Sequence, residues 1–144
     1  MEKICAVRIR SIIRANASIR RAVVALNLKK QNNAVILDKN PAMMGLLRQA
    51  EGVITYGELD KDTAAKLIGK ALKKKGKKVD DLNAFIDSFF DGKSKLQDIG
   101  LKNVFRLHPP RGGFGRKGKD ASFQVGGGIG YRKEKINDLL NRMM

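Results

Sequence analysis

The first 59 residues alternate between strand-like and helix-like hydrophobic patterns, and this alternation restricts the possible folds most. Strand-like apolar runs occupy residues 4–10, 34–37 and 53–56. Between them, Ser18 and Asn40 each precede a segment with apolar residues at helical spacing, as expected for helix N-caps. Two crossovers through helices predict a compact α/β (α+β) sandwich, with both helices on one face of a small sheet.

The rest of the chain predicts helices first and basic loops later. The later elements, in chain order, are a third helix opened by Asp60 or Asp62, a fourth helix capped by Asp80, a helical turn within residues 94–100, a strand at 104–107, an extended segment at 121–125 and a final helix with Ile136, Leu139, Leu140 and Met143 on one face. We therefore expect a βαβαβ core at residues 1–59 and a helical insertion at residues 60–102. Residues 103–144 then supply a strand, basic glycine-rich loops and a C-terminal helix that packs on the core.

Residues 111–119 form a loop of Gly, Arg and Lys with one aromatic residue, Phe114, and without a carboxylate. Pro109 and Pro110 end the preceding strand because proline has no N–H for a ladder. The loop suits a polyanion, since arginine matches phosphate and glycine lets backbone N–H groups approach it. Phe114 has two interpretations: it stacks on an unpaired base, or it is a plug that pins the loop to the body.

The net charge favours the same kind of partner. Lys and Arg number 30 against 14 Asp and Glu, which gives +16 and indicates a protein that binds phosphate. An anionic membrane is the other standard partner, but the chain lacks a basic amphipathic anchor and an apolar run that could span a bilayer. Charged residues from Glu2 onward argue against a signal peptide. The single cysteine, Cys5, excludes an intrachain disulfide and fits a reducing cytosol.

Two further basic groups have open interpretations. Arg8 and Arg10 share one face of the first strand, opposite its apolar face, so they are either phosphate contacts or part of a solvated face. Residues 73–78 carry five lysines at the end of the third helix. These lysines complement the helix dipole, or they contact RNA or phosphate.

Motifs for nucleotide or metal chemistry occur only as isolated strings. Residues 113–118 match the dinucleotide fingerprint, but no helix pattern follows them. Gly118 and Lys119 imitate a P-loop, yet Asp120 stands where Ser or Thr would hold magnesium. His108 is the only histidine, so no set of ligands with metal-site spacing exists, and paired carboxylates at helix starts are explained as caps. We therefore expect no enzymatic activity, cofactor, metal or small-molecule substrate.

Five stretches of the chain resemble one protein family. They are Arg8-Ile9-Arg10, Asn40-Pro41-Ala42 with Gly45-Leu46-Leu47, Tyr56-Gly57-Glu58, residues 106–113, and Gly126-Gly127 followed by residues 136–140. They look like the large-subunit ribosomal protein numbered thirty in bacteria and archaea and seven in eukaryotes, and Pro-Pro-Arg-Gly-Gly is the most specific motif. Bacterial members resemble only the first part of the chain and eukaryotic members carry a long N-terminal extension, so the length is similar to that of archaeal members. Ser11 departs from the family, because many relatives have Gly there.

This resemblance implies a ferredoxin-like βαβαβ core with a three-stranded antiparallel sheet and a structural role in the large ribosomal subunit. The implied partners are 23S-type rRNA, with 5S rRNA nearby, and neighbouring large-subunit proteins, in the cytoplasm. The residues that match the family motifs and are expected at RNA are Arg8, Arg10, Arg111, Gly112 and Gly113. Charge and loop placement add Arg14, Arg20, Arg21, Lys29, Lys30, Phe114, Arg116, Lys117, Lys119, Arg132 and Lys133.

Two alternatives to this function stay open. The first is a stand-alone RNA- or DNA-binding protein outside the ribosome, which stoichiometric recovery in ribosomes would distinguish. The second is a nucleotide-using enzyme built on residues 113–118, which equilibrium dialysis with ATP and NAD would detect.

Overall fold

A five-stranded sheet forms the centre of the computed structural model, which describes residues 2–76 and 81–144. Its strands are β1 (Lys3–Arg8), β2 (Asn33–Asp38), β3 (Ile54–Glu58), β4 (Val104–Arg106) and β5 (Gly130–Tyr131). They lie in the order β4-β2-β1-β3-β5; β1 pairs antiparallel with β2 and β3, β4 is antiparallel to β2, and β5 is parallel to β3. The expected three-stranded antiparallel core is confirmed, and one strand is added at each edge.

Helices cover both faces of this sheet. The helices in the described residues are α1 (Ala17–Ala25), α2 (Pro41–Gln49), α3 (Lys61–Lys74), α4 (Leu82–Phe90) and α5 (Ile136–Met143). On one face Ile4 and Ala6 of β1 pack with α1 and α2, and on the other Cys5 and Val7 pack with α3, α4 and α5. The expectation that both crossover helices lie on one face is confirmed, since α1 and α2 share a core. The helices that follow β3 cover the other face, because alternate side chains along β1 enter two separate cores.

The C-terminal helix closes the second core with the apolar stripe that its sequence predicts. Ile136, Leu139, Leu140 and Met143 are fully buried, and burial of each such side chain contributes about 1.5–3 kcal/mol to folding. Cys5 is also fully buried in this core, and burial raises the pKa of its thiol to about 12.

Several sequence-based boundaries are confirmed, and others are corrected. The helix start at Asn40-Pro41 and the strand that becomes β4 are confirmed. Residues 94–100 form turns rather than a helix, and residues 123–125 form a short 3-10 helix rather than an extended segment. The cap predicted at Asp80 lies outside the described residues; α4 begins after Asp81.

β3 continues through Gly57 to Glu58, beyond the strand-like run at residues 53–56. A β-carbon on Gly57 would lie 2.1 Å from the carbonyl oxygen of Lys133, so only glycine allows the short 3-10 helix Lys133–Lys135 to cross so close to the strand. This close approach positions the segment that links β5 to α5 against the sheet.

The topology gathers several loops at one end of the sheet, which we call the loop end. β1 ends there, and β2 and β3 begin there, because Val7 pairs with Ala34 and Arg8 pairs with Ile54. The loop end therefore comprises residues 9–16, 26–32, 50–53 and 107–129. Every helix among the described residues is too short or too polar to cross a membrane.

Candidate nucleic-acid interface

The loop end collects most of the basic residues that the sequence singled out. The exposed ones in its loops are Arg14, Lys29, Lys30, Arg111, Arg116, Lys117 and Lys119. Arg10 is half-buried beside them, where its Nε lies 3.1 Å from the Asp120 carboxylate and its guanidinium donates to the Gly52 carbonyl. Residues from three loops, among them Arg10, Arg14 and Lys119, line a concavity of ≈ 720 Å³. Strand pairing thus brings together cations that are far apart in the chain.

The long loop of residues 107–129 is held in a glycine-dependent conformation. Gly112 and Gly113 are exposed and have positive φ angles of 80° and 76°, which L side chains rarely adopt. A β-carbon on Gly127 would lie 2.1 Å from the Ala121 carbonyl oxygen, so two parts of the loop touch backbone to backbone there. The loop is a folded surface that can present N–H groups to an anion.

Phe114 anchors this loop to the protein. Its side chain is half-buried and packs against the core that contains α5, and its carbonyl accepts a 3.2 Å hydrogen bond from Arg132. This packing supports the plug alternative for Phe114 over stacking on a base.

Arg132 is buried inside the loop rather than exposed to a partner, so the exposure expected from its charge is wrong. Its Nε donates to Thr55 Oγ1 at 2.9 Å and its Nη2 donates to the Gly128 carbonyl at 2.9 Å. The guanidinium lies 4.5 Å from the centroid of the Phe123 ring. Burial, and then the nearby Arg142, lower the pKa of Arg132 to about 10. The loop folds around this side chain because the side chain satisfies several of its carbonyls.

Arg8 is also turned inward, although the sequence placed it on an open strand face. It is 7% exposed, and its guanidinium donates to the carbonyls of Leu28, Lys29 and Arg10. Burial lowers its pKa. The open face does not exist, because α1 and the turn after it cover that side of β1. Arg8 therefore stabilises residues 28–29 from the interior of the protein, because it binds their carbonyl groups.

The other sequence-predicted residues lie apart from the loops. Arg20 and Arg21 are exposed on α1. Lys133 is exposed beside Gly57, toward the opposite end of the sheet, and has a positive φ of 52°. The loop end does not bring Lys133 together with the other cations.

Sequence reasoning missed Arg142, which contacts the loop end from α5, and Ile13, which belongs to it. Arg142 donates to the Gly113 carbonyl at 2.8 Å and so connects the end of α5 to the basic loop. Its position in the last turn of a helix was a usable signal, since cations favour helix C-termini. Ile13 lies between Arg10 and Arg14 and is 83% exposed, an apolar side chain on an otherwise cationic surface.

The described part of the structure gives no support to a nucleotide-binding site or a metal site. Residues 116–119 form a turn, and the next helical element is only the three-residue 3-10 helix at 123–125, so the residues that match nucleotide motifs lack the required α-helix N-terminus. Within residues 2–76 and 81–144, no cluster of His, Cys, Asp or Glu could hold a metal ion. Of the lysine run, Lys75 donates to the Gly100 carbonyl at 2.9 Å, while Lys77 and Lys78 lie outside the described residues.

Comparisons with known proteins give a consistent result. The sequence profile described as Ribosomal protein L30p/L7e matches residues 5–53. A large ribosomal subunit protein uL30 from Methanococcus maripaludis (strain C5) is 37% identical, with 96% of this chain and 97% of that protein aligned. Proteins of the same name from Methanopyrus kandleri and Nanoarchaeum equitans are 36% and 34% identical, over 83% and 94% of this chain and 89% and 94% of their own lengths.

Proposed function

Because this chain belongs to the ribosomal protein L30p/L7e family and is of the archaeal type, we propose that it is a structural constituent of the large ribosomal subunit. In this role it is a cytoplasmic, non-enzymatic protein that binds and stabilises rRNA. Its partners are 23S-type rRNA and neighbouring large-subunit proteins, with 5S rRNA nearby.

The observation that carries the proposal is the clustering of exposed cations at the loop end. The contacts that we assign to rRNA are Arg10, Arg14, Lys29, Lys30, Arg111, Gly112, Gly113, Arg116, Lys117 and Lys119, with Arg20 and Arg21 on the adjoining helix. Residues 111–119 contain no carboxylate, so a phosphate that approaches them meets no repulsion from within that segment. Arg8, Phe114 and Arg132 act indirectly, because they hold the loops in position.

Asp120 gives the surface one internal counter-charge. Its carboxylate lies 3.1 Å from Arg10 Nε, and the side chains of Arg10 and Asp120 are 42% and 71% exposed. An exposed ion pair of this kind contributes about 0–1 kcal/mol, so a phosphate can replace the carboxylate at little cost. Arg10 is therefore held in place and remains available to RNA.

Replacement of Arg111 tests the proposal directly. Purified Arg111→Ala protein should bind a large-subunit rRNA fragment more weakly than the unaltered chain. The plot of log affinity against log salt concentration should become shallower by about one unit, since one phosphate contact releases about one counterion. Filter binding from 0.05 to 0.3 M KCl measures both quantities.

Lys66→Ala is the matched control, because Lys66 is an exposed cation on α3, away from the loop end. It should leave the slope of the salt plot unchanged. Equal slopes for Arg111→Ala and the unaltered protein, or equal loss in both variants, would reject the assigned surface. Recovery of the tagged chain in one copy per large subunit separates a ribosomal constituent from the alternative, a stand-alone RNA- or DNA-binding protein.

A further inference from the structure

A cleft on the edge of the sheet meets the loop end only at Leu107. It lies between α3 and β4, has a volume of ≈ 340 Å³ and is lined on its floor by Leu67, Ala71, Leu101, Val104, Phe105 and Leu107. Five cations complete its lining: Lys70, Lys74, Lys75, Lys102 and Arg106. Among the described residues that line the cleft, none is a carboxylate.

The wall of this cleft is the outer edge of β4, with which no strand in residues 2–76 and 81–144 pairs. β4 is the last strand of the sheet on this side, with β2 as its neighbour. Leu107 donates its N–H to the Asn32 carbonyl, and Phe105 pairs with Ala34 in the same register. Antiparallel strands alternate between bonds toward and away from the partner, so the backbone groups of Val104 and Arg106 face outward.

We propose that this cleft binds an extended, acidic peptide segment of another protein, which adds to β4 as a sixth strand. The outward N–H and C=O groups of Val104 and Arg106 supply main-chain hydrogen bonds. Alternate apolar side chains of the peptide enter the space between β4 and α3, and its carboxylates meet the surrounding lysines.

Two features favour a peptide over RNA as the occupant. The floor consists of aliphatic side chains and one buried phenylalanine, which offer nothing to a phosphate or a ribose hydroxyl. A free strand edge beside an apolar floor matches the alternating side chains of a β-strand, whereas an RNA backbone has no such alternation. The cations at the cleft provide charge complementarity, which selects acidic peptides over basic ones.

A display selection against the full-length protein tests the inference. One library holds eight-residue peptides that alternate apolar and acidic positions, and a second alternates apolar and basic positions. The acidic library should yield binders, and the affinity of the best one is then measured by fluorescence polarisation in 0.15 M salt.

Two variants of one residue separate the strand edge from its charge. Arg106→Pro removes the outward N–H without removing a bond to β2, whereas Arg106→Ala removes only the side chain. The proline variant should bind the peptide about tenfold more weakly than the alanine variant. Lys74→Glu combined with Lys102→Glu should also weaken binding about tenfold, and it does not alter the strand. Circular dichroism melting curves show whether each variant is folded.

Each possible outcome either supports the strand-addition site or overturns it. Selective enrichment of acidic peptides, with loss in the proline and double-glutamate variants, supports a strand-addition site. Failure of both libraries, equal enrichment of basic peptides, or equal binding by the proline and alanine variants overturns it. Weaker rRNA binding by Arg106→Pro than by Arg106→Ala would mean that RNA occupies the edge, and it also overturns the inference.

Discussion

Tyr131 lies on β5 beside Tyr56 of β3, with ring centroids 5.3 Å apart. Its hydroxyl donates a hydrogen bond to the Glu58 carboxylate. Burial, followed by the bond and charge of Glu58, raises the pKa of Tyr131 to about 12, and burial also raises the pKa of Tyr56. Both tyrosines should therefore resist ionisation in the folded protein.

Alkaline titration should reveal this effect. The unfolded chain loses its tyrosine protons near pH 10 and the folded chain loses that of Tyr131 near pH 12, so stability should fall between these values as pH rises. Absorbance at 295 nm measures ionisation, and urea unfolding at several pH values measures stability. Glu58→Gln should lower the pKa of Tyr131, and Tyr131→Phe identifies its contribution. Ionisation of both tyrosines near pH 10 in the folded protein would contradict the prediction.

Individual arginines show how far sequence can predict the site. The exposure of Arg111 and Arg116 follows from their glycine-rich surroundings, which contain too few apolar residues to bury them. Arg8 and Arg132 have the same charge, but each is buried by segments distant in the chain. Local pattern cannot supply such contacts. Arg8 was assigned to RNA by its match to the family motif, and Arg132 was assigned by its charge and loop placement.

At the level of elements, the loop that precedes β5 depends on a residue that follows it. Arg132 bonds to carbonyls at Phe114 and Gly128 and to the Thr55 hydroxyl of β3. The helices of the core were predictable because their periodicity lies within each segment. The cap predicted at Asn40 is confirmed, but the cap predicted at Ser18 is wrong, because α1 already begins at Ala17 after Asn16. β5 was not, because it is two residues long, contains a glycine and exists only through pairing with β3.

Arg132→Ala should release this loop while the sheet stays folded. The free energy of unfolding should fall by about 2–4 kcal/mol, because buried carbonyls lose a charged donor. Tryptic cleavage after Arg116, Lys117 or Lys119 should become about tenfold faster, which mass spectrometry of timed digests detects. Lys135→Ala, which removes an exposed cation near the same Phe123 ring, should leave cleavage unchanged. Unchanged cleavage in Arg132→Ala would show that Arg132 does not hold the loop in its folded conformation.

Over the whole molecule, the loop end is one cationic surface and the cleft beside β4 is another. α4 and its flanks carry Asp81, Asp87 and Asp91, and α4 packs near the start of β1, where the Lys3 ammonium lies 4.2 Å from the Phe89 ring centroid. The net charge could be calculated from the composition. The positions of the charged residues at the two ends of the sheet could be assigned only once the strand order was known. We propose that residues 60–102, the expected helical insertion, leave the loop end free for RNA.

Because the chain carries a net charge of +16, its folding stability and its binding to rRNA should respond to salt in opposite directions. Raising NaCl from 0.05 to 0.5 M should increase the melting temperature by about 3–6 °C, because screening reduces repulsion among the cations. The same change should weaken rRNA binding. Circular dichroism melts and filter binding in identical buffers test both trends, with sodium sulfate at equal ionic strength as the control for specific anion binding. A melting temperature that falls as NaCl rises would contradict this account.

The middle position of β1 has a consequence for folding during synthesis. β1 is made first, yet both of its neighbours must be translated before its hydrogen bonds are complete, and β3 ends only at Glu58. The face that contains Cys5 and Val7 can be covered in part by α3 and α4, but its cover is complete only when residues 136–143 have left the exit tunnel. At about 5–20 residues per second, a nascent chain therefore exposes part of this face for several seconds after β3 is made, and chaperones can reach it during that time.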